Sequence, residues 1–408
     1  MFYFTHPQLK LRIGNLTKII KAFVSPPSEH ELKQKLASFF PDRELVFTDM
    51  GRTAFRLILQ ELKLKNCEMI VPAFICEIFY PILKEFNIAP IFLDIDLKTF
   101  NVKPSDIENA ITEQTKAILV SHTYGLPNDM MKILSLAKKH NLLVIEDCAH
   151  AFGAKIQNKY LGNFSHAAFV SLYKQFPTLR GGMAILPKNT GRISLLPTRF
   201  NLRDFVSLLN YYHIFSFLFK TLGSSIAPKF LRKEKHSGGG YVGARHTESG
   251  QAELGRINKV SLNLFNFFLA DFQKSLKNRT VLALDFSEKL SELKFRMQKP
   301  GLDEKALTYG SNVFTFLSGL MPNDLEQKRD ELVKKLRKIG VFATRIWHTP
   351  IILNKKAQKE CQIDLQQFPN AVLAAKRIIN FPLQNCYTQK DIDKMTSKLK
   401  TTLNKIRT

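Results

Sequence analysis

The stretch Val144-Ile-Glu-Asp-Cys-Ala-His150, followed by Lys174 and then by Gly181-Gly182, decides the reading of this chain. An apolar run, Leu142-Leu-Val-Ile145, leads into it and reads as a buried parallel strand. Asp147 is therefore expected at the carboxyl edge of a sheet, where open α/β sheets bind ligands. A second run, Ala167-Ala-Phe-Val-Ser171, ends three residues before Lys174. A carboxylate and an amine are thereby predicted to reach one crevice. Singly, an aspartate after a strand is commonly a helix N-cap and a lysine commonly a solvated surface group, so only the combination is informative.

That combination suits a pyridoxal-phosphate site. A lysine amine must form a Schiff base with the cofactor aldehyde, and a carboxylate must keep the pyridine nitrogen protonated so that the ring accepts carbanion electrons. A phosphate site is also legible. Leu45-Val-Phe-Thr48 reads as a strand, Asp49-Met-Gly51 as a turn, and Thr53 to Lys63 as a helix with apolar Phe55, Leu57, Ile58 and Leu62. The unpaired N–H groups and positive end of such a helix favour a phosphate, which makes Gly51, Arg52 and Thr53 candidates. The competing reading is an ordinary glycine turn capped by threonine. Ser171 is the second phosphate candidate, against a buried strand serine. His150 could touch the cofactor ring or its phenolic oxygen, or be a satisfied buried histidine.

Taken in order along the chain, these segments resemble the DegT/StrS-type family of nucleotide-sugar aminotransferases, which are fold-type I pyridoxal-phosphate enzymes. Gly51-Arg-Thr-Ala-Phe55 is similar to the family's phosphate turn, Val71-Pro-Ala-Phe74 to its next strand end and Pro90-Ile-Phe-Leu-Asp94 to its third strand. Thr115 to Pro127 resembles the strand and loop before the aspartate. Phe368-Pro-Asn370, Asn380-Phe-Pro-Leu383 and a closing helix from Thr388 resemble the C-terminal domain. The chain departs from the family at three points. The family places its lysine five residues after its serine, whereas Ser171 to Lys174 is three; Lys174 to Gly181 keeps the family's seven. Cys76 stands where the family often has an aromatic to stack on the pyridine ring, with Phe74 as a possible substitute or a core residue. The asparagine that the family supplies from a partner subunit has no clear match.

The resemblance implies an α/β fold of type I: a large domain with a mostly parallel seven-stranded sheet, plus a smaller C-terminal α/β domain. The expected division is an N-terminal segment 1–44, a cofactor-binding domain 45–260 with an insertion at about 197–250, linking helices 261–307 and a small domain 308–408. In the large domain, strands are expected at 68–72, 90–94, 116–121, 142–146 and 182–186, with helices at 77–86, 104–112 and 128–139. In the small domain, Asn312 to Phe316 and Val341 to Trp347 read as strands and Asp324 to Ile339 as an amphipathic helix.

The chain has 408 residues, enough for two domains, and 45% hydrophobic content supports a substantial core. Cys67, Cys76, Cys148, Cys361 and Cys386 form no CxxC pair, which points to reduced thiols and away from a metal site. The N-terminus lacks a basic region followed by a long apolar core, so a cytoplasmic protein is expected. The net charge of +25 is spread through every segment without a block of like charges, which reads first as a general compositional bias, with anionic substrates or an acidic membrane surface as the alternative, and disfavours nucleic acid. Val206 to Phe219 carries no formal charge over 14 residues and precedes Lys229, Arg232, Lys233 and Lys235. It is shorter than the ~20 residues of a spanning helix. It reads as a helix buried in the core or in a dimer contact, or as an interfacial helix giving 197–235 a peripheral contact with the inner membrane face. Ser237-Gly-Gly-Gly240 reads as a flexible joint within a loop, 235–255, that could cover the site.

The resemblance implies a homodimeric aminotransferase that uses pyridoxal 5'-phosphate, an amino donor such as glutamate and a keto sugar carried on a nucleotide. Lys174 would hold the cofactor and Asp147 would stabilise the pyridinium. Two alternatives are a deoxysugar dehydratase, whose best-known form replaces the lysine with histidine, and a scaffold that has lost catalysis.

Overall fold

The computed structural model describes residues 3–4, 13–191, 193–202, 204, 254–299 and 312–407. The uncharged stretch 206–219, the basic cluster at 229–235 and the glycine joint at 237–240 lie outside the described residues.

Nine strands form the large sheet: β1 Arg43–Thr48, β2 Cys67–Pro72, β3 Ile88–Leu93, β4 Thr115–Ser121, β5 Leu143–Asp147, β6 Ala167–Ser171, β7 Gly182–Pro187, β8 Leu196–Pro197 and β9 Gly255–Arg256. Their order is β8-β9-β1-β7-β6-β5-β4-β2-β3. Strands β2 to β6 run parallel, while β7 is antiparallel to both β6 and β1. The expected seven strands are all present; the two additional ones are two-residue edge pieces that flank the 205–253 segment, too short to show as an apolar pattern.

The strands are apolar at consecutive positions because both faces are covered. Ile145 and Ala184 point into one core with Phe55 and Ile58 of the helix Gly51–Glu61. Val144 and Ile185 point into the other, with Phe176, Phe265 and Phe272. Sheet register then fixes what meets at the carboxyl edge: Ser121 lies opposite Asp147, and Gly182 opposite both Ser171 and Thr48.

The C-terminal region builds a three-stranded antiparallel sheet from Arg296–Met297, Leu317–Leu320 and Ile378–Phe381, backed by the helices Arg329–Lys338 and Gln389–Arg407. Three expectations fail here. Asn312 to Phe316 is not a strand; pairing starts at Leu317, and the preceding residues form the irregular segment in which Thr315 meets His150. Only Val341–Phe342 of 341–347 is a strand, paired with Tyr3–Phe4, because the chain then turns at Trp347 with φ +64. The 324–339 helix is divided into a 3-10 segment, Asn323–Lys328, and the α-helix Arg329–Lys338. Among the described residues no helix is long and apolar enough to cross a membrane.

Candidate active site

Asp147 is the last residue of β5 and is buried. Its carboxylate accepts hydrogen bonds from Ser121 Oγ at 3.3 Å and from the Ala149 amide at 2.9 Å. Burial pushes its pKa up, while Lys174, the Ala149 amide and Ser121 pull the other way. Lys174 ends the single 3-10 turn Leu172–Lys174 that follows β6 directly. That turn takes up the two-residue contraction: Gln175 and Phe176 donate back to the Leu172 carbonyl, and Leu172 donates to Gly181. Lys174 is half-buried, and desolvation lowers its pKa against the attraction of Asp147 and Cys76.

His150 completes this group, with Nε2 2.8 Å from Lys174 Nζ. Its ring clusters with Tyr124, nearly parallel at 5.7 Å between centroids, and Trp347, tilted at 4.9 Å, the two being 5.2 Å from each other, with Phe316 edge-on at 5.0 Å. Tyr124 and Trp347 were not read as site residues: Tyr124 lies inside Thr115 to Pro127, matched there only as a strand and loop, and Trp347 arrives from 197 residues beyond His150. Phe74 is wholly buried against Phe100, Tyr124 and Trp347 and belongs to the core. Cys76 bridges to Pro350 through the backbone and feels the charges of Lys174 and Asp147, which puts its half-buried side chain on the crevice wall.

The helix from Gly51 starts where β1 meets β7. Its opening is set by close packing: a Cβ on Gly51 would sit 3.2 Å from Ser171 Cβ, and one on Gly182 would sit 2.4 Å from the Met50 carbonyl. The structure thus brings Gly51 and Ser171 into contact at the positive end of an 11-residue helix. Thr53 is differently employed, since its hydroxyl donates to Asp49 Oδ1 at 2.6 Å as a local cap. Tyr173, another residue the sequence reading missed, shares this pocket: burial raises its pKa, while Ser171 and Arg52 lower it and Cys76 lies beside it.

Beside Asp147, Glu146 is wholly buried and points to the opposite side. It accepts from His122 Nε2 and from the amides of Gly162, Phe164 and Ser165, and from Ser165 Oγ. These bonds hold its pKa below the usual carboxylate value despite burial. His122, Glu146 and Cys148 cluster closely enough for a metal, yet the Glu146 oxygens are already saturated by five donors and His122 Nδ1 by the Asn128 amide. The group is a structural brace for the strand that carries Asp147.

A mostly parallel sheet carrying a lysine, an aspartate and a phosphate-sized helix opening at one carboxyl edge defines the fold-type I class. The profile of the DegT/DnrJ/EryC1/StrS aminotransferase family matches residues 11–191 and 239–400, and the chain belongs to that family. The chain is similar to the GDP-perosamine synthase of Escherichia coli O157:H7, 41% identical over 143 residues, which span 34% of this chain and only 39% of that protein. It also resembles the GDP-perosamine synthase of Caulobacter vibrioides, 25% identical over 90% of this chain and 88% of that one. Among solved structures, Helicobacter pylori PseC, an aminotransferase involved in the biosynthesis of pseudoaminic acid, matches with a TM-score of 0.72 at 16% identity, over 99% of this chain and 100% of that one. That likeness is one of fold.

Proposed function

We propose that this chain is a pyridoxal-phosphate-dependent aminotransferase that aminates a keto sugar carried on a nucleotide, in glycan or amino-sugar biosynthesis. The observation that carries the reading is the half-buried Lys174 amine held beside Asp147 and His150 at one sheet edge. Relatives named as nucleotide-sugar synthases support the substrate class. The retained lysine speaks against the dehydratase alternative, and its neutralising environment speaks against a scaffold.

Pyridoxal phosphate, when bound, supplies an aldehyde for amine exchange and a ring that accepts electrons from a carbanion. Asp147 would keep a proton on the ring nitrogen. Lys174 would hold the cofactor aldehyde and, as a free amine, would carry a proton to and from the reacting carbon, a role its lowered pKa favours. His150 Nε2 lies within hydrogen-bond distance of that amine. Gly51, Arg52, Thr53 and Ser171 line the phosphate end, with the Thr53 side chain acting through Asp49. Cys76 takes the ring-facing wall.

The same reading makes the enzyme a cytoplasmic homodimer, with residues 45–260 as the cofactor domain and 308–408 as the small domain. Its amino donor is glutamate, and the basic, apolar 197–235 is an addition outside the cofactor site, read as a packed helix with a peripheral contact at the inner membrane face as the alternative. Borohydride reduction of the protein loaded with pyridoxal phosphate, followed by peptide mapping, should mark Lys174. A mark on another lysine overturns the assignment. Glutamate-dependent amination across a panel of nucleotide-linked keto sugars then identifies the acceptor.

A further inference from the structure

His150 hydrogen-bonds through both ring nitrogens, and the two bonds together fix where its proton lies. The Tyr124 backbone N–H points at Nδ1 over 3.3 Å. An amide nitrogen can only donate, so Nδ1 must be the acceptor and carries no proton. A neutral imidazole with a bare Nδ1 has its hydrogen on Nε2. That atom lies 2.8 Å from Lys174 Nζ. An ammonium has three N–H groups and no lone pair, so it cannot accept from Nε2–H, whereas a neutral amine can.

The geometry points to the Tyr124 main-chain amide as a positioning group that fixes the His150 tautomer and, through it, holds Lys174 as the neutral, nucleophilic amine in the cofactor-free enzyme. This rests on the aminotransferase reading only for its purpose; its content concerns protons on this chain's own atoms.

The backbone around Tyr124 is built to aim that amide. Tyr124 has φ +58, a left-handed conformation that a tyrosine adopts only when its surroundings impose it. Asn101 supplies part of the constraint: its Oδ1 accepts from the Thr123 amide at 3.1 Å, and its Nδ2 donates to the Leu126 carbonyl at 3.2 Å. The Tyr124 hydroxyl donates to the Ile346 carbonyl at 2.7 Å and closes the other end. Thr315 Oγ1 donates to the His150 carbonyl at 2.5 Å, which fixes the imidazole's backbone. The rings of Tyr124, Phe316 and Trp347 leave the imidazole little freedom to flip. Around Lys174 the charged and titratable neighbours are Asp147 and Cys76, whose attraction favours the ammonium, and His150, whose Nε2–H opposes it. Burial acts in the same direction as His150.

Two measurements on the full-length, cofactor-free protein test the inference. The first is 15N-histidine NMR of the unmodified protein, which should give His150 the Nε2–H tautomer; an Nδ1–H or doubly protonated ring overturns the inference. The second replaces the Tyr124 amide by an ester while keeping the tyrosine side chain, and follows acylation of Lys174 against pH by peptide mapping. The midpoint should rise by at least about one pH unit, a roughly tenfold loss of reactivity at a fixed pH below it. An unchanged midpoint overturns the inference. Should the ester variant fail to fold, the tautomer measurement still decides. The outcome is separable from the aminotransferase reading: Lys174 marked by borohydride together with His150 protonated on Nδ1 sinks this inference alone, while an Nε2–H tautomer with no mark on Lys174 sinks the other alone.

Discussion

Replacing Gly182 by alanine probes how the phosphate end of the crevice is assembled. Gly182 begins β7 and faces the turn that opens the helix Gly51–Glu61. A Cβ there would lie 2.4 Å from both the carbon and the oxygen of the Met50 carbonyl and 2.5 Å from the Gly51 nitrogen. Ordinary contact begins at 3.4 Å, so β7 and the turn must separate by about 1 Å. All three obstructing atoms are backbone, and β7 is paired on both sides, so no flexible side chain can yield. Overpacking of this kind costs about 1–3 kcal/mol, equivalent to a fall in Tm of roughly 2–6 °C for a chain of this size. Moving the Gly51 end of the helix should also weaken binding of pyridoxal phosphate, by about tenfold for each 1.4 kcal/mol of phosphate interaction lost. Gly191→Ala is the control, because nothing lies within 4 Å of its Cβ. Thermal unfolding and cofactor titration of the two variants provide the comparison. If Gly182→Ala matched Gly191→Ala in both, the close approach of Met50 and Gly182 would not be setting the site.

Asp147→Asn should keep some cofactor but lose at least ~100-fold in turnover, because a neutral amide cannot hold the ring nitrogen protonated; near-normal turnover would make the residue structural. Burial raises the Asp147 pKa, so the folded, cofactor-free protein holds its proton longer than the unfolded chain. Its contribution to stability is then full below the unfolded carboxylate pKa and is lost as pH rises through the folded value. Urea midpoints measured across the acid range without cofactor should show that decline, and Asp147→Asn should remove it. Arg279 is buried, its pKa pushed down to about 10 by desolvation; it donates to Gln175 at 3.2 Å and leaves Nε without a partner. Arg279→Met should therefore stabilise the fold by about 1–4 kcal/mol in denaturant titrations, and a lower midpoint would show that the guanidinium is compensated. Sedimentation at micromolar concentration should give a dimer, and co-sedimentation with anionic liposomes decides the role of 197–235: binding that weakens with salt supports a membrane contact, and no binding at low or high salt leaves the packed helix.

Much of the large sheet was legible because its strands, covered on both faces, are short apolar runs separated by turns. Asp147, Ser171 and Lys174 could be placed from the strand ends alone. What could not be read was the surrounding group brought by long-range packing. Trp347 reaches His150 only after a backbone turn at positive φ, and Tyr124 does so from a 3-10 turn whose conformation is imposed by Asn101. The Asn312 to Phe316 error has a similar origin: its alternating apolar residues satisfy a strand pattern, yet the segment makes its bonds to the crevice and not to a neighbouring strand. Thr53 and Phe74 were singled out by motif position, which could not foretell the Asp49 partner of the one or the Phe100, Tyr124 and Trp347 packing of the other.

The edge strands β8 and β9 have an evolutionary consequence. Leu196 donates to the Leu254 carbonyl at 2.9 Å, and Thr198 Oγ1 to the Arg256 carbonyl at 2.6 Å, so both flanks of 205–253 are fastened at one border of the sheet. Asp204, the last described residue before that segment, is itself anchored by Arg180 of the lysine loop at 2.7 Å. A stretch whose ends are already joined can lengthen or shorten with little penalty, since doubling a loop adds only about 0.6 kcal/mol of closure entropy. This border is thus a place where the chain can change length without disturbing the strands that carry Asp147 and Ser171.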